Sequence, residues 1–417
     1  MSRSVEVDCA IAGGGPAGVM LGYLLARAGV RALVLEKHAD FLRDFRGDTI
    51  HPSTLEVMAE LGLLDELLRL PHQEVQEITG VVEGQEVVVA DFRHLPTRCG
   101  FVAFMPQWDF LNFMVEHGRR YRGFGLEMEA EVTGLIVEGG VVRGLRAHTP
   151  AGSLEVRAAL TVGADGRTST VRAEAGLPVR NLGANIDVLW MRLPRHDSDP
   201  QRPLGHFRRG RVLVMLNRGD YWQCGFVIAK GGRAELERGG IAAFRAELER
   251  IAPFLAGRAD VLADWSTVRT LEVAVDRLTR WSRPGLLCIG DSAHAMSPIG
   301  GVGINLAIQD AVATARLLAR PLRAGELSSR HLVRVQQRRE PAARWTQMLQ
   351  VAIQQRILGR VLEGAGPLAM PLPLRLLRWF PVLRRLPARV LGLGFRPEHV
   401  EDLEQVETLK PAPWIPG

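Results

Sequence analysis

The residues best placed to do chemistry near the start of this chain are Gly13, Gly15 and Gly18, which stand in the spacing G-x-G-x-x-G. The first glycine of such a set permits a tight turn and the second lets a pyrophosphate touch the backbone. The third lets a helix pack on a strand. Glu36 follows about 20 residues on, where an acid is expected to hold a ribose hydroxyl. Together they read as a dinucleotide site, which needs a strand before the turn and a helix after it. Both are legible. Residues 7–12 read as a short buried strand, and residues 19–28 as a helix with Gly29 at its C-cap. Residues 32–35 form a second apolar strand ending on Glu36. The helix start, at Pro16 and Ala17, offers N–H groups and a positive dipole end to phosphate.

Two further glycine-rich strand ends follow. Residues 158–162 read as a buried strand delivering Gly163-Ala164-Asp165-Gly166-Arg167, and residues 286–289 as another ending at Gly290-Asp291. The latter continues through Ser292-Ala293-His294 and Ser297-Pro298-Ile299-Gly300-Gly301-Val302-Gly303-Ile304-Asn305 into a helix. Each end puts small residues and an acid at the carboxyl edge of a parallel sheet, where ligands bind. Asp291 suits a ribityl hydroxyl. The bare backbone from Gly301 through Gly303 and Ile304 to Asn305 points a helix N-terminus at something flat and anionic.

With three motifs in this order and spacing, roughly residues 5–340 resemble the single-component flavoprotein monooxygenases of the para-hydroxybenzoate hydroxylase type. Gly163 to Arg167 looks like that family's DG motif, and Gly290-Asp291 with Pro298 and the glycines after it looks like its GD motif. The resemblance implies an α/β fold, a Rossmann-like FAD-binding domain with an inserted β-sheet substrate domain and a C-terminal helical region. It implies FAD as cofactor and NAD(P)H as a transient electron donor. Gly15, Pro16 and Ala17 would meet the FAD pyrophosphate, and Glu36 the adenosine ribose, with Lys37 beside it in the cofactor-binding set. Arg46 would lie along the cofactor and guard the flavin's mobile position, and Gln107 would sit near the ribityl chain. Val132 would offer backbone to the adenine, Asp165 would touch both FAD and the donor, and Pro298 would shape the pocket above the ring. Arg46 and Pro298 are thus the catalytic candidates. The implied reaction uses O2 and a flavin C4a-hydroperoxide to hydroxylate or epoxidise a small organic substrate, aromatic or polyketide-like.

Rival readings differ in what they require. A flavin-dependent halogenase needs a lysine near the substrate and a Trp-x-Trp-x-Ile-Pro segment. No lysine stands between Lys37 and Lys230, and no such tryptophan pair occurs. A flavin-dependent reductase of a prenyl or other lipid-like substrate is the alternative of the same superfamily, and a flavin-loaded scaffold or sensor is the non-enzymatic one. The chain has no second G-x-G-x-x-G, which fits a transiently bound donor and equally an enzyme reduced by another protein. His294 follows a motif in which histidine commonly serves structure, so it reads as structural, as do His51 and His206. No His/Cys cluster has metal-ligand spacing, so no metal is expected, and no G-x-S-x-G elbow is present.

A chain of 417 residues exceeds the usual size of one core. The expected division is a discontinuous FAD-binding domain (1–75, 96–180 and 278–340), a substrate domain (76–95 and 181–277) and a C-terminal helical region (341–417). Within it, residues 51–70 read as one helix and residues 76–92 as a hairpin. Residues 129–147 form a second hairpin, residues 241–252 a helix, and residues 304–360 a long helical region broken near Pro321 and Pro341. Strand alternation in the substrate domain leaves open which of Trp190, His206, Tyr221, Trp222 and Gln223 face the flavin.

The net charge of +6 rests on arginines spread along the whole chain with acids among them, so no nucleic-acid partner is expected. Cys9, Cys99, Cys224 and Cys288 sit in apolar runs without C-x-x-C spacing and read as buried thiols. The first strand begins at once, leaving no room for a signal peptide, and no apolar run reaches spanning length; a cytoplasmic enzyme is expected. Between Glu363 and Glu398 the only charges are six arginines, interleaved with leucines, Trp379 and Phe380. That stretch suits packing on the flavin domain, a second subunit in a homodimer, or the headgroup boundary of an anionic membrane.

Overall fold

The computed structural model describes residues 3–42, 48–363, 370–400 and 403. An eight-stranded sheet holds, in spatial order, Ser282–Arg283, Leu286–Cys288, Gly152–Gly163, Arg3–Ala12, Ala32–Leu35 and Phe124–Glu127. Val141–Thr149 and Glu131–Glu138 extend it as antiparallel strands from Gly152–Gly163. The central pairings are parallel. Parallel strands are covered on both faces, which is why Ala32–Leu35 and Leu286–Cys288 are apolar and buried throughout. Helices Pro16–Arg27 and Gly303–Arg323 pack together over this sheet.

Strand register decides which residues meet at the sheet's edge. Ala12 lies opposite both Leu35 and Gly163, and Gly163 lies opposite Cys288. Four strands therefore end level. The next residues along each strand, Gly13, Glu36, Ala164 and Ile289-Gly290, emerge side by side along one edge.

A second sheet of seven strands runs Arg269–Leu271, Ile186–Pro194, Tyr221–Ala229, Arg211–Asn217, Leu204–Arg208, Glu77–Val82 and Gln85–Asp91. Its outer face buries Leu189, Met191, Leu213, Trp222, Cys224 and Phe226 under the helix Arg233–Ile251. Phe254 lies against the rings of both Trp222 and His206 on that side. The odd-numbered partners on the strand Tyr221–Ala229, Tyr221 and Gln223 among them, point the other way, and so does Trp190. The alternation left open by the sequence is thereby settled: Trp222 and His206 belong to the outer layer.

Several element boundaries differ from the expectations. Residues 51–70 form two helices, Pro52–Glu60 and Leu64–Leu67, because Gly62 turns the chain at φ +72°. The helix expected at 241–252 is present: Gly240, at φ +80° and ψ +157°, kinks Arg233–Ile251 and separates the helix that begins at Ile241 from a short helical stretch before it. Pro321 and Pro341 do not break the C-terminal helices but lie inside Gly303–Arg323 and Ser329–Ile353. The break comes at Gly325, φ +68°, before Ser328 and His331 form a capping box. The strand read at 158–162 is twelve residues long, Gly152–Gly163; exposed Arg157 and half-buried Glu155 conceal its first half. Among the described residues one span, Ile299–Arg323, is long and apolar enough to cross a membrane, but 83% of its apolar window is buried, as in a core helix. All four cysteines are free and buried, and burial pushes the Cys99 thiol up to about 11 and the others further.

Candidate active site

The three glycine motifs touch one another at the level strand ends. A Cβ on Gly13, which has φ +103°, would lie 2.4 Å from the Ala164 carbonyl oxygen and 2.8 Å from the Asp165 Cα. A Cβ on Gly18 would lie 1.9 Å from the Gly13 carbonyl oxygen, so only glycine lets this helix sit on its strand. Gly290, φ +61°, meets Ala17 at 3.2 Å and Ala307 at 3.3 Å, joining the third motif to both helices. Gly15 differs from all of these. Its backbone is ordinary, φ −75° and ψ −176°, and a Cβ there would meet nothing within 4 Å. Neither strain nor crowding within the protein explains a glycine at that position. Open space at the helix start, with no side chain capping it, is a cradle for an anion brought in from outside.

Acids line the same edge. Glu36 is buried and accepts from the Gly14 N–H at 2.9 Å and the His38 N–H at 3.1 Å. Val132 lies beside it, two residues beyond Ala130, whose N–H donates to the Glu36 carbonyl. Lys37 is exposed. The Asp165 carboxylate is engaged locally, accepting from the Ser169 hydroxyl at 2.5 Å and the Val171 N–H at 3.0 Å. Burial pushes its carboxyl above the usual range, against those hydrogen bonds. Asp291 accepts from Arg167 Nε at 3.2 Å, tying the second motif to the third, and its Oδ1 lies 4.0 Å from where a Gly303 Cβ would stand.

The loop before the long helix is held by Thr49 and Asn305. Thr49 donates to the Gly301 carbonyl at 3.0 Å. The Asn305 amide oxygen accepts from the His51 N–H at 2.9 Å and the Thr54 hydroxyl at 2.7 Å. Asn305 is thus fixed by its side chain, leaving its backbone at the helix start. Pro298 precedes the turn Ile299–Gly301. Gln107 opens the helix Gln107–Gly118, its N–H donating to Asp48 Oδ1 at 3.2 Å. Asp48 also pairs with Arg218 of the second sheet, which donates from Nε to Gln223 at 2.9 Å. Arg46, the remaining catalytic candidate, lies outside the described residues.

Beneath the edge sits a buried ionic relay that the sequence did not announce. Asp310 accepts from the Gly290 N–H at 3.0 Å, His294 Nε2 at 2.6 Å and Arg339 Nε at 2.9 Å. Arg339 donates onward to Glu398, which also receives Arg338 and Arg316. Burial raises the Asp310 carboxyl, but its partners, His294 and Arg339 foremost, outweigh it and hold it below the usual range. His294 therefore serves structure, as expected. So does His51, whose Nδ1–H donates to the Leu391 carbonyl at 2.7 Å.

Burial pushes His51 down to about 4. An unfolded His51 takes up a proton below its ordinary value near 6.5 and the folded one does not, so stability present above pH 6.5 is lost toward pH 4. The limit is about 3 kcal/mol. His51→Asn should flatten the stability–pH curve in that window, as read by urea unfolding at pH 6.5 and 4.5.

Over this edge stands the inner face of the second sheet. Trp190 lies across Gly225, where a Cβ would be 3.1 Å from its ring, and shares an apolar cluster with Phe207 and Ile299. Trp190, Phe207, Val214 and Leu216 remain half-buried, whereas the outer face is closed.

A family model described as FAD binding domain matches residues 6–350. The chain belongs to that family. Among the relatives of this FAD-binding protein is the 6-methylpretetramide 4-monooxygenase of Streptomyces rimosus, 36% identical over 387 residues, 91% of this chain and 92% of the relative. The 2,4-dichlorophenol 6-monooxygenase of Delftia acidovorans is 28% identical over 82% of this chain; the chain spans 61% of that longer protein. The fold is shared with the p-nitrophenol 4-monooxygenase PnpA of Pseudomonas putida DLL-E4, TM-score 0.72 at 21% identity, covering 94% of this chain and 100% of that one. The cofactor is FAD, and the class is NAD(P)H-dependent monooxygenase. Nothing in these comparisons supports the lipid reductase reading. The residues present fit FAD: the uncapped helix start at Gly15, where a Cβ would meet nothing within 4 Å, suits its diphosphate. Arg167, already inside the second motif, gains a named partner in Asp291, while Asp310 and Arg339, which support the third motif from beneath, carry no signal in the sequence.

Proposed function

We propose that this protein hydroxylates a flat, fused-ring aromatic compound of polyketide type, with NAD(P)H as electron donor and O2 as oxygen source. The observation that carries the substrate class is the half-buried inner face with Trp190, Phe207, Val214 and Leu216, of which Trp190 and Phe207 share an apolar cluster with Ile299 of the cofactor loop. Large apolar groups beside the polar Tyr221 and Gln223 suit a fused-ring molecule that carries oxygen substituents, and the relative named for 6-methylpretetramide supports the same class. When bound, FAD carries electrons from the donor to O2 and one oxygen atom to the substrate.

In this reading Gly13, Gly15, Pro16, Ala17 and Gly18 hold the diphosphate, Glu36 the ribose with Lys37 at the rim, and Val132 the adenine. Asp291 and Gln107 bind the ribityl chain, and Asp165 keeps its turn in shape. The backbone N–H groups of Gly303, Ile304 and Asn305 stabilise negative charge on the reduced ring, and Gly301, whose own N–H donates to the Pro298 carbonyl, shapes the turn before them. Pro298 shapes the pocket above the ring, and Arg46 is assigned the other catalytic role on its motif position alone. Residues 1–75, 96–180 and 278–340 make the cofactor domain, 76–95 and 181–277 the substrate domain, and 341–417 the C-terminal region. We place the enzyme in the cytoplasm. A homodimer and peripheral membrane contact both fit this reading.

The purified protein should be yellow and release FAD on heating. With NADH or NADPH and a panel of phenols and polycyclic polyketides, mass spectrometry should show products heavier by one oxygen atom. A colourless protein that FAD cannot reconstitute overturns the reading. Trp190→Ala should raise the substrate KM by about tenfold through lost apolar contact and lower the product formed per NAD(P)H consumed. An unchanged KM and unchanged coupling would remove Trp190 from the substrate wall.

A further inference from the structure

The C-terminal segments Leu372–Trp379, Pro381–Arg384 and Arg385–Gly392 have two unlike faces. The inner one is anchored. Ala388 is fully buried, and a Cβ on Gly392 would lie 2.7 Å from Leu95. Leu391 packs against the cofactor loop, 2.8 Å from where a Gly300 Cβ would stand. Arg384 Nε donates to the Leu377 carbonyl at 2.9 Å and ties the two helices together. The outer face is a fixed platform of large apolar groups in water. Leu372 is 61% exposed, Trp379 57%, Phe380 56%, Val382 67% and Leu386 69%. Patches of this kind mark interaction sites.

Charge selects the occupant. From 364 to 397 there are six arginines and no acid. Arg375, Arg378, Arg385 and Arg389 are exposed around the apolar platform, with the Arg375 guanidinium 4.8 Å from the centre of the Trp379 ring. Gln85, Met370, Arg375, Arg378 and Trp379 line a cleft of about 280 Å³ at its edge. It offers the Arg375 guanidinium on the Trp379 ring and the Arg378 guanidinium, one N–H of which donates to Gln85 at 3.0 Å, so both have N–H groups left for a phosphate headgroup. A second copy of the chain fits poorly, since two-fold pairing of this face sets arginine against arginine. We propose that this face docks on an anionic phospholipid bilayer, with Trp379, Phe380, Val382 and Leu386 entering the headgroup boundary and the cleft arginines holding lipid phosphate. The inference rests on the peripheral membrane contact of the proposed function and is independent of the reaction.

The test is sedimentation of the FAD-loaded full chain with phosphatidylglycerol–phosphatidylcholine vesicles at low salt. The protein should pellet with them and return to the supernatant at 0.5 M salt, roughly the regime where surface charge is screened. R375E/R378E and, separately, Leu386→Asp should each lower the bound fraction by about tenfold or more while retaining FAD and basal NAD(P)H oxidation. Retained flavin shows that the variants are folded, and oxidation reads the reaction separately from docking. Protein that stays in the supernatant overturns the proposal. So does equal pelleting with pure phosphatidylcholine, or a dimer in light scattering that Leu386→Asp converts to monomer.

Discussion

Gly15→Ala should leave the apoprotein as stable as the parent, or slightly more so, and weaken FAD binding by about 100-fold, close to 3 kcal/mol. The added methyl meets no protein atom within 4 Å and the backbone is already in a region any residue adopts. What it fills is the space before the helix start, where a diphosphate has to touch bare N–H groups. Thermal unfolding of apo and FAD-saturated protein separates the two effects, because ligand-linked stabilisation disappears while the apo midpoint stays. Gly18→Ala is the contrasting control. Its methyl would stand 1.9 Å from the Gly13 carbonyl oxygen, so the helix must lift from the strand and the apo midpoint must fall as well. A Gly15→Ala protein with parental FAD affinity would show that the cradle is not the diphosphate site.

Arg339→Leu is expected to cost about 3–5 kcal/mol of stability, a large share of what a typical domain possesses. The guanidinium is 1% exposed and bridges Asp310, which is fully buried, to Glu398, also buried. Removing it leaves Asp310 with only His294 and the Gly290 N–H in a fully buried site and cuts its link to Glu398, which keeps Arg338 and Arg316. The sign of the pH effect follows from Asp310, whose carboxyl lies below its ordinary value. Stability from that depression is present at neutral pH and lost as pH falls through the depressed value. Losing Arg339 shrinks the depression, so the acid unfolding midpoint should move up. The Asp310→Leu/Arg339→Leu double variant should lose in total much less than the two single losses added together. Additive losses in urea unfolding would mean that the residues do not act as a unit.

What the sequence disclosed about the site was disclosed by glycine. Gly13 and Gly18 record close approaches that forbid a Cβ, Gly290 records a left-handed backbone at φ +61°, and Gly15 is the one glycine of the first motif that no contact within the chain explains. Strands with both faces buried were equally plain. The second sheet was half-legible. Alternation separates Trp190 and Gln223 from Trp222 and His206, but which set faces inward depends on where the helix Arg233–Ile251 packs, and no local pattern carries that. The relay was hidden for a similar reason. Asp310 and Arg339 sit on different helices and Glu398 lies far beyond both, with no periodic spacing to join them. Pro321 and Pro341 misled because proline in a helix usually breaks it, whereas here the chain turns at Gly325.

The level strand ends also bear on how the protein is made. The cradle needs Gly13 and Gly18 from the first strand–helix unit, Ala164 from a strand paired with it in parallel, and Gly290 from a third strand that arrives much later in the chain. Pairings of such sequence separation are slow to form. On the ribosome the first strand and helix emerge long before either neighbour and expose apolar faces meant for both. A nascent chain shorter than about 320 residues lacks the long helix Gly303–Arg323 that closes the edge, and synthesis proceeds at about 5–20 residues per second. FAD capture therefore belongs to the last part of translation or after it. Truncations ending before residue 303 should come off the ribosome colourless and seek chaperones, while the flavin waits for the far end of the chain.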